Sequence, residues 1–253
     1  GVEHKRWGLT HRFYSPQDPA DLAAQITPAT RLVWLEAPGS ITLEFPDLPA
    51  LTAVVREANV GRTRPVITAL DNTWGAGIAF NGFDLGADVV MQALTKYPSG
   101  GADVLMGSVV TRDEGLHQQL LLTHMRLGLG VGANDVELVL RGLQTIGLRY
   151  AAQDAATREL ATWMQGQPGV VQVLHPALVG SPGHAAWQRD ARAAGCLFSV
   201  MFDECFSQPQ IDAFCDALHL FQLGWSWAGP ISLCAPYDVP SIRTRTWPHR
   251  GGL

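Results

Sequence analysis

No two of the four cysteines, Cys196, Cys205, Cys215 and Cys234, stand closer than nine positions apart, so the sequence has no CxxC pair and no zinc-ribbon spacing. No metal site is expected, and free buried thiols in a reducing compartment are the reading that remains. Charge is scarce and slightly acidic. Charged residues are 16% of the 253, with 18 Lys and Arg against 23 Asp and Glu for a net −5. Phosphate-backbone binding needs clustered Lys and Arg, so no nucleic-acid partner is expected. No apolar run reaches the roughly 18 residues of a membrane span. The first thirty positions, which include Glu3, His4, Lys5, Arg6 and Asp18, lack a signal peptide's apolar stretch. A cytoplasmic protein with no membrane contact is predicted. Internal repeats and low-complexity tracts are also missing, and 47% apolar residues exclude a disordered chain.

Glycine (26) and proline (16) are plentiful, and they punctuate a pattern of short apolar runs and helical periodicities. Arg31–Glu36, Val66–Asp71, Asp88–Leu94 and Val104–Val110 read as strands, with a helix at Leu48–Ala58. The alternation predicts an α/β large domain with a mostly parallel sheet, covering 1–133. Apolar side chains at helical spacing from Asn134, a candidate N-cap, to Trp163 predict one long connecting helix over 134–166. Short strands at Val170–Leu174 and Cys196–Phe202, around a helix near His184–Ala194, predict a smaller α+β domain over 167–253. The glycines at 128, 130 and 132 do not make a dinucleotide loop, because the third is misplaced and no strand leads into it.

Open α/β sheets bind ligands at the carboxyl ends of their strands. Asp71 closes one predicted strand, and Lys96, 25 positions on, follows another. A pyridoxal phosphate site needs that pairing, a lysine for the aldehyde and a carboxylate for the pyridine nitrogen. Thr95 offers a hydroxyl for the cofactor phosphate. By spacing alone, the same residues also read as a helix-capping Asp and a solvated loop Lys.

Asp71-Asn-Thr73 and Thr95-Lys96-Tyr97 resemble the strand-end and lysine motifs of the Cys/Met-metabolism family of pyridoxal-phosphate enzymes. Glu36-Ala-Pro-Gly-Ser-Ile-Thr-Leu-Glu44, Arg141-Gly-Leu-Gln-Thr-Ile-Gly-Leu-Arg149, His175-Pro-Ala-Leu-Val-Gly-Ser-Pro-Gly-His184 and Ser226-Trp-Ala-Gly229 resemble its cystathionine-cleaving branch. The resemblance runs from about Asp21 to Pro248. It implies the fold type I transferase-like architecture, with Lys96 as the Schiff-base and catalytic lysine, Asp71 and Thr95 as cofactor contacts, and Ser226 and Trp227 near the substrate. It implies β-elimination of L-cystathionine to homocysteine, pyruvate and ammonia in transsulfuration and methionine biosynthesis. The substrate would be a small amino acid, and the assembly a homo-oligomer of the tetrameric type. A γ-synthase or O-acylhomoserine sulfhydrylase of the same family, and a non-catalytic fragment that only associates, remain open.

The sequence departs from the family where Ala93 replaces a frequent Ser and where Gly100-Gly-Ala-Asp103 replaces Gly-His-Ser-Asp. A Gly at position 1 and an end at Arg250-Gly-Gly-Leu253 lead us to expect both ends to be cut from a longer protein, one that supplies a phosphate loop, a stacking tyrosine and a carboxylate-binding arginine. Arg243, Arg245 and Arg250 are not expected to replace that arginine. Glu36, His175 and His184 are read as structural, Trp163, Trp187 and Trp247 as packing residues, and Trp225 as either packing or pocket lining.

Overall fold

The computed structural model describes residues 5–243 and Trp247. Its elements in chain order are α1 (Pro19–Gln25), β1 (Leu32–Glu36), α2 (Leu48–Ala58), β2 (Ile67–Asp71), β3 (Val89–Ala93), β4 (Gly107–Thr111), α3 (Glu114–Leu127), α4 (Ala133–Leu143) and α5 (Ile146–Met164). They continue with β5 (Val170–Leu174), α6 (His184–Asp190), β6 (Ser199–Phe202), α7 (Gln208–Asp216), β7 (Gln222–Leu223), β8 (Leu233–Cys234) and α8 (Val239–Ile242).

Local signals account for the first elements. Asp47 caps α2 by accepting from Ala50 N at 3.0 Å, a bond of the kind worth about 1 kcal/mol. Leu48, Leu51, Thr52 and Val55 recur at helical spacing and are buried, while Ala53, Arg56 and Glu57 are exposed. The main sheet runs β1-β2-β3-β4. β1, β2 and β3 are parallel, with Glu36 opposite Asp71 and Asp71 opposite Met91. The central core gathers Val33, Leu35, Leu51, Val55, Leu70 and Val90 around Phe45, Trp74 and Phe80.

Two expectations need correction. The fourth strand lies at Gly107–Thr111 and is antiparallel to β3, because the 94–106 segment folds back without a helical crossover. The helix expected over 134–166 is two helices, α4 and α5, and Gly132 rather than Asn134 is the N-cap. Thr145 leaves the helical region (φ −114°, ψ 3°), and the Arg149 side chain bonds Gly142 O at 2.8 Å and Thr145 Oγ1 at 3.1 Å across the break. β1 is buried on one face only, since Leu32 and Trp34 are about half exposed.

Downstream, β5 and β6 pair antiparallel and β7 and β8 pair parallel. α5 is the strut between these parts. Tyr150 OH donates to Trp74 O at 3.0 Å, Gln153 Nε2 to Gly229 O at 3.4 Å, and Asp154 Oδ1 accepts from Ala194 N at 3.2 Å. Among the described residues no helix is long and apolar enough to cross a membrane.

Candidate active site

Asp71 ends β2, and no helix follows for it to cap. Its Oδ1 accepts from Thr73 N at 2.9 Å and from Thr73 Oγ1 at 2.5 Å. The Thr73 hydroxyl in turn accepts from Ala93 N, at the end of β3, at 2.9 Å. This chain of bonds fixes the carboxylate against the neighbouring strand and leaves Oδ2 with no hydrogen bond or ion pair among the described residues. Glu36 stands beside it at the end of β1. Burial first, and then repulsion from Asp71, push the Glu36 carboxyl up from its ordinary range, against a 2.5 Å bond donated by Ser40 Oγ.

Lys96 lies in the β3–β4 connection, three residues past β3. The connection is braced internally: Lys96 N donates to Ala93 O at 3.1 Å, Gly100 N to Lys96 O at 3.0 Å, and Ser99 Oγ to Thr95 O at 3.0 Å. From outside, α4 presses on it at Gly142, where a Cβ would meet Pro98 O at 2.2 Å. Tyr97 is fully buried, 4.5 Å from the Tyr150 ring centroid and edge-on to Trp227 at 5.5 Å, and its hydroxyl accepts from Cys196 N at 2.7 Å.

These supports aim the lysine. Lys96 Nζ donates to Ser226 Oγ at 2.9 Å and sits 5.5 Å from the Trp227 ring centroid, in cation–π range. Burial lowers the Lys96 pKa from that of a free lysine, with the Cys196 thiol opposing. A larger fraction of such an amine is unprotonated and nucleophilic near neutrality.

The site residues read from sequence are thus partly drawn together. Lys96, Ser226 and Trp227 are in contact, and Asp71 is tied through Thr73 to the strand that leads to Lys96. Thr95 Oγ1 is engaged with the chain itself, accepting from Met106 N at 3.1 Å and donating to Met106 O at 3.3 Å. Trp225 is exposed, as is Trp163, which therefore is not a packing residue. His175 and His184 stand apart from Lys96 in their contacts. His175 is buried, and His184 Nδ1 bonds Pro176 O at 2.9 Å while its ring stacks on Trp187. Arg243 is committed to Glu44 through bonds of 2.7 and 3.1 Å, and Arg245 and Arg250 lie outside the described residues. Sequence reasoning missed the roles of Thr73 and Tyr97, although both belong to the motifs already singled out. Nothing local marked Cys196, which reaches the site through tertiary packing.

The residues suit pyridoxal phosphate. A carboxylate with one free oxygen and a half-buried amine of lowered pKa stand at the carboxyl ends of adjacent parallel strands, where α/β folds take such ligands. A fold and site of this kind define a cofactor-lysine enzyme domain. Residues 2–244 match the family described as Cys/Met metabolism PLP-dependent enzymes, and the chain belongs to it.

Cystathionine beta-lyase of Bordetella avium is 39% identical over 228 residues, which is 90% of this chain and 55% of that protein. The Escherichia coli cystathionine beta-lyase is 36% identical, over 93% of this chain and 59% of its own length. The crystal structure of cystathionine gamma synthase from Xanthomonas oryzae pv. oryzae, in complex with aminoacrylate and cysteine, superimposes with a TM-score of 0.85 at 31% identity, over 95% of this chain and 60% of that one. The chain therefore spans between half and two thirds of these relatives' length.

Proposed function

We propose that this chain carries the cofactor-binding lysine of a carbon–sulfur lyase that splits L-cystathionine by β-elimination into homocysteine, pyruvate and ammonia, as a step of transsulfuration toward methionine. The contact of Lys96 with Ser226 and Trp227, beside a carboxylate fixed at the end of β2, is the observation that carries this reading. Likeness to two cystathionine beta-lyases supports the choice of reaction.

Lys96 would hold pyridoxal phosphate covalently, Asp71 would face its ring nitrogen, and Thr95 would turn its hydroxyl from Met106 O toward the phosphate. When bound, the cofactor supplies an aldehyde that takes up amines and a ring that draws electrons from the substrate's α-carbon. Asp71 keeps a proton on the ring nitrogen through its free oxygen, so that the ring carries the charge an electron sink requires. The Lys96 amine removes the proton from the substrate Cα and delivers one to the departing sulfur. Ser226 and Trp227 orient that amine and cover it from water.

Trp227 and Ser226 would also border the amino-acid substrate. Residues 1–133 would form part of the cofactor-binding domain, 134–166 the connection, and 167–253 part of a smaller domain, in keeping with the sheet pairings on either side of α4 and α5. We read the protein as a cytoplasmic homo-oligomer. α3 has no buried residue and exposes Leu121, Leu122, Met125 and Leu127, an apolar face suited to another subunit.

A γ-synthase acting on an acylated homoserine is the second reading, favoured by the superposition on the Xanthomonas enzyme. Borohydride reduction of the protein with pyridoxal phosphate, followed by peptide mass mapping, should place the cofactor on Lys96. Lys96→Ala should lose both the visible absorbance band and pyruvate release from cystathionine. Normal pyruvate release by that variant would sink the assignment. Formation of cystathionine from cysteine and an acylated homoserine would instead favour the synthase.

A further inference from the structure

Two cysteines outside the lysine site are brought together by the fold. Cys215 is buried on α7 and Cys234 is half-buried in β8. α7 lies against β7, β7 pairs with β8 with Leu223 opposite Cys234, and Gly224 N donates to Cys234 O at 3.1 Å. Across 19 positions of chain Cys234 is thereby brought against the face of α7 that carries Asp212, Cys215 and Asp216, and both cysteines are free. Cys234 also lines a cleft of about 240 Å³ together with Asp212, Asp216 and the exposed Trp225. The other two cysteines are placed differently. Cys196 is bonded to Tyr97, and Cys205 is exposed beside Asp203.

We propose that Cys215 and Cys234 are a redox-responsive dithiol, which a small-molecule disulfide entering this cleft converts into an intramolecular disulfide. The two thiols divide the work by access. Cys234 faces the cleft and meets the oxidant first. Burial, the neighbouring thiol, and the Asp212 and Asp216 carboxylates push Cys215 up to about 11, so it stays protonated until a partner arrives.

In the first step the Cys234 sulfur, giving up its proton to solvent, attacks one sulfur of the oxidant. A mixed disulfide forms, and one thiolate departs and is reprotonated. In the second step the Cys215 sulfur attacks the Cys234 sulfur, its proton passing to the second departing thiolate. Two protein thiols are oxidised, one small disulfide is reduced to two thiols, and the electrons balance. A bond of this kind in a reducing compartment is transient and responsive rather than architectural. Its consequence reaches the lysine site, because Ser226 and Trp227 lie in the loop that joins β7 to β8. A covalent tie from α7 to β8 fixes the strand pair that bounds the loop carrying both residues. The proposal stands on this packing and does not depend on the lyase reading.

The test treats the chain with oxidised glutathione under native conditions, alkylates the remaining thiols with iodoacetamide, and maps the peptides by mass. Exposed Cys205 serves as the control that the oxidant is active. Cys215 and Cys234 are expected to leave the alkylated pool together and to reappear as one linked pair, which dithiothreitol separates. Cys215→Ala is expected to trap glutathione on Cys234. The proposal is overturned if both cysteines stay alkylated as in the untreated protein, or if each carries its own glutathione. The wild-type map alone decides between these results, whether or not the variant folds.

Discussion

Lys96 Nζ and Ser226 Oγ meet at 2.9 Å across 130 positions of chain. An acceptor at that distance favours the charged amine, while burial favours the neutral one and lowers the Lys96 pKa. Ser226→Ala removes the acceptor and leaves the burial. The Lys96 pKa should therefore fall further, and the acid limb of cofactor uptake, followed by visible absorbance, should move to lower pH. An unchanged pH profile would show that the hydroxyl does not tune this amine.

Asp71→Asn keeps the shape of the side chain and removes its charge. Cofactor should still attach to Lys96, while pyruvate release slows by ~10² or more, the scale of losing one preorganised electrostatic contact. Steady-state kinetics beside an absorbance titration separates the two effects. A variant as fast as the parent would leave Asp71 with only its bond to Thr73.

Two glycine replacements should part company. At Gly142 a Cβ would meet Pro98 O at 2.2 Å and Ser99 O at 2.3 Å, backbone atoms of the lysine connection that cannot rotate aside. Gly142→Ala should destabilise by about 1–3 kcal/mol, as overpacking does. At Gly147, in α5, no atom of the described residues outside the helix's own backbone and its chain neighbours lies within 4 Å of the added atom. Gly147→Ala should stabilise by about 0.5–1 kcal/mol through helix propensity. Urea unfolding of both variants is the measurement, and equal midpoints would contradict the close approach at Gly142.

His175 is fully buried, and among the described residues neither ring nitrogen has a hydrogen-bond partner. Burial, with Arg158 adding and Asp154 opposing, lowers its pKa to about 4 from an ordinary 6.5. The folded pKa lies below the unfolded one, so between those values the unfolded chain binds more protons. This contribution to stability is complete above pH 6.5 and is lost as the pH falls toward about 4. His175→Leu removes the titrating ring and the unpartnered nitrogens, so it should flatten that acid limb and cost little or nothing at neutral pH. Thermal unfolding of both proteins across this range tests the point, and parallel curves would contradict it.

Local chemistry made part of this protein legible in the sequence. The boundaries of α2 follow from Asp47 as cap and from the spacing of Leu48, Leu51 and Val55. The ends of β2 and β3 follow from apolar runs closed by polar residues. Asp71 and Lys96 could be named because each sits at a strand end within a short motif, and strand ends are set within a few residues. Resemblance supplied Ser226 and Trp227, which no local pattern would have joined to Lys96.

Only the tertiary structure decided the rest. It reversed β4, because the 94–106 segment is pinned back by Thr95 and Met106 instead of crossing over as a helix. It broke the long helix where Arg149 satisfies the carbonyl of Gly142. It buried His175 with no hydrogen-bond partner among the described residues, and it brought Cys234 against α7, which carries Cys215, through a strand pair only two residues long. Propensity and capping act over a few residues and can be read along the chain. Which side chains meet depends on how whole elements pack, and that is a property of the folded molecule.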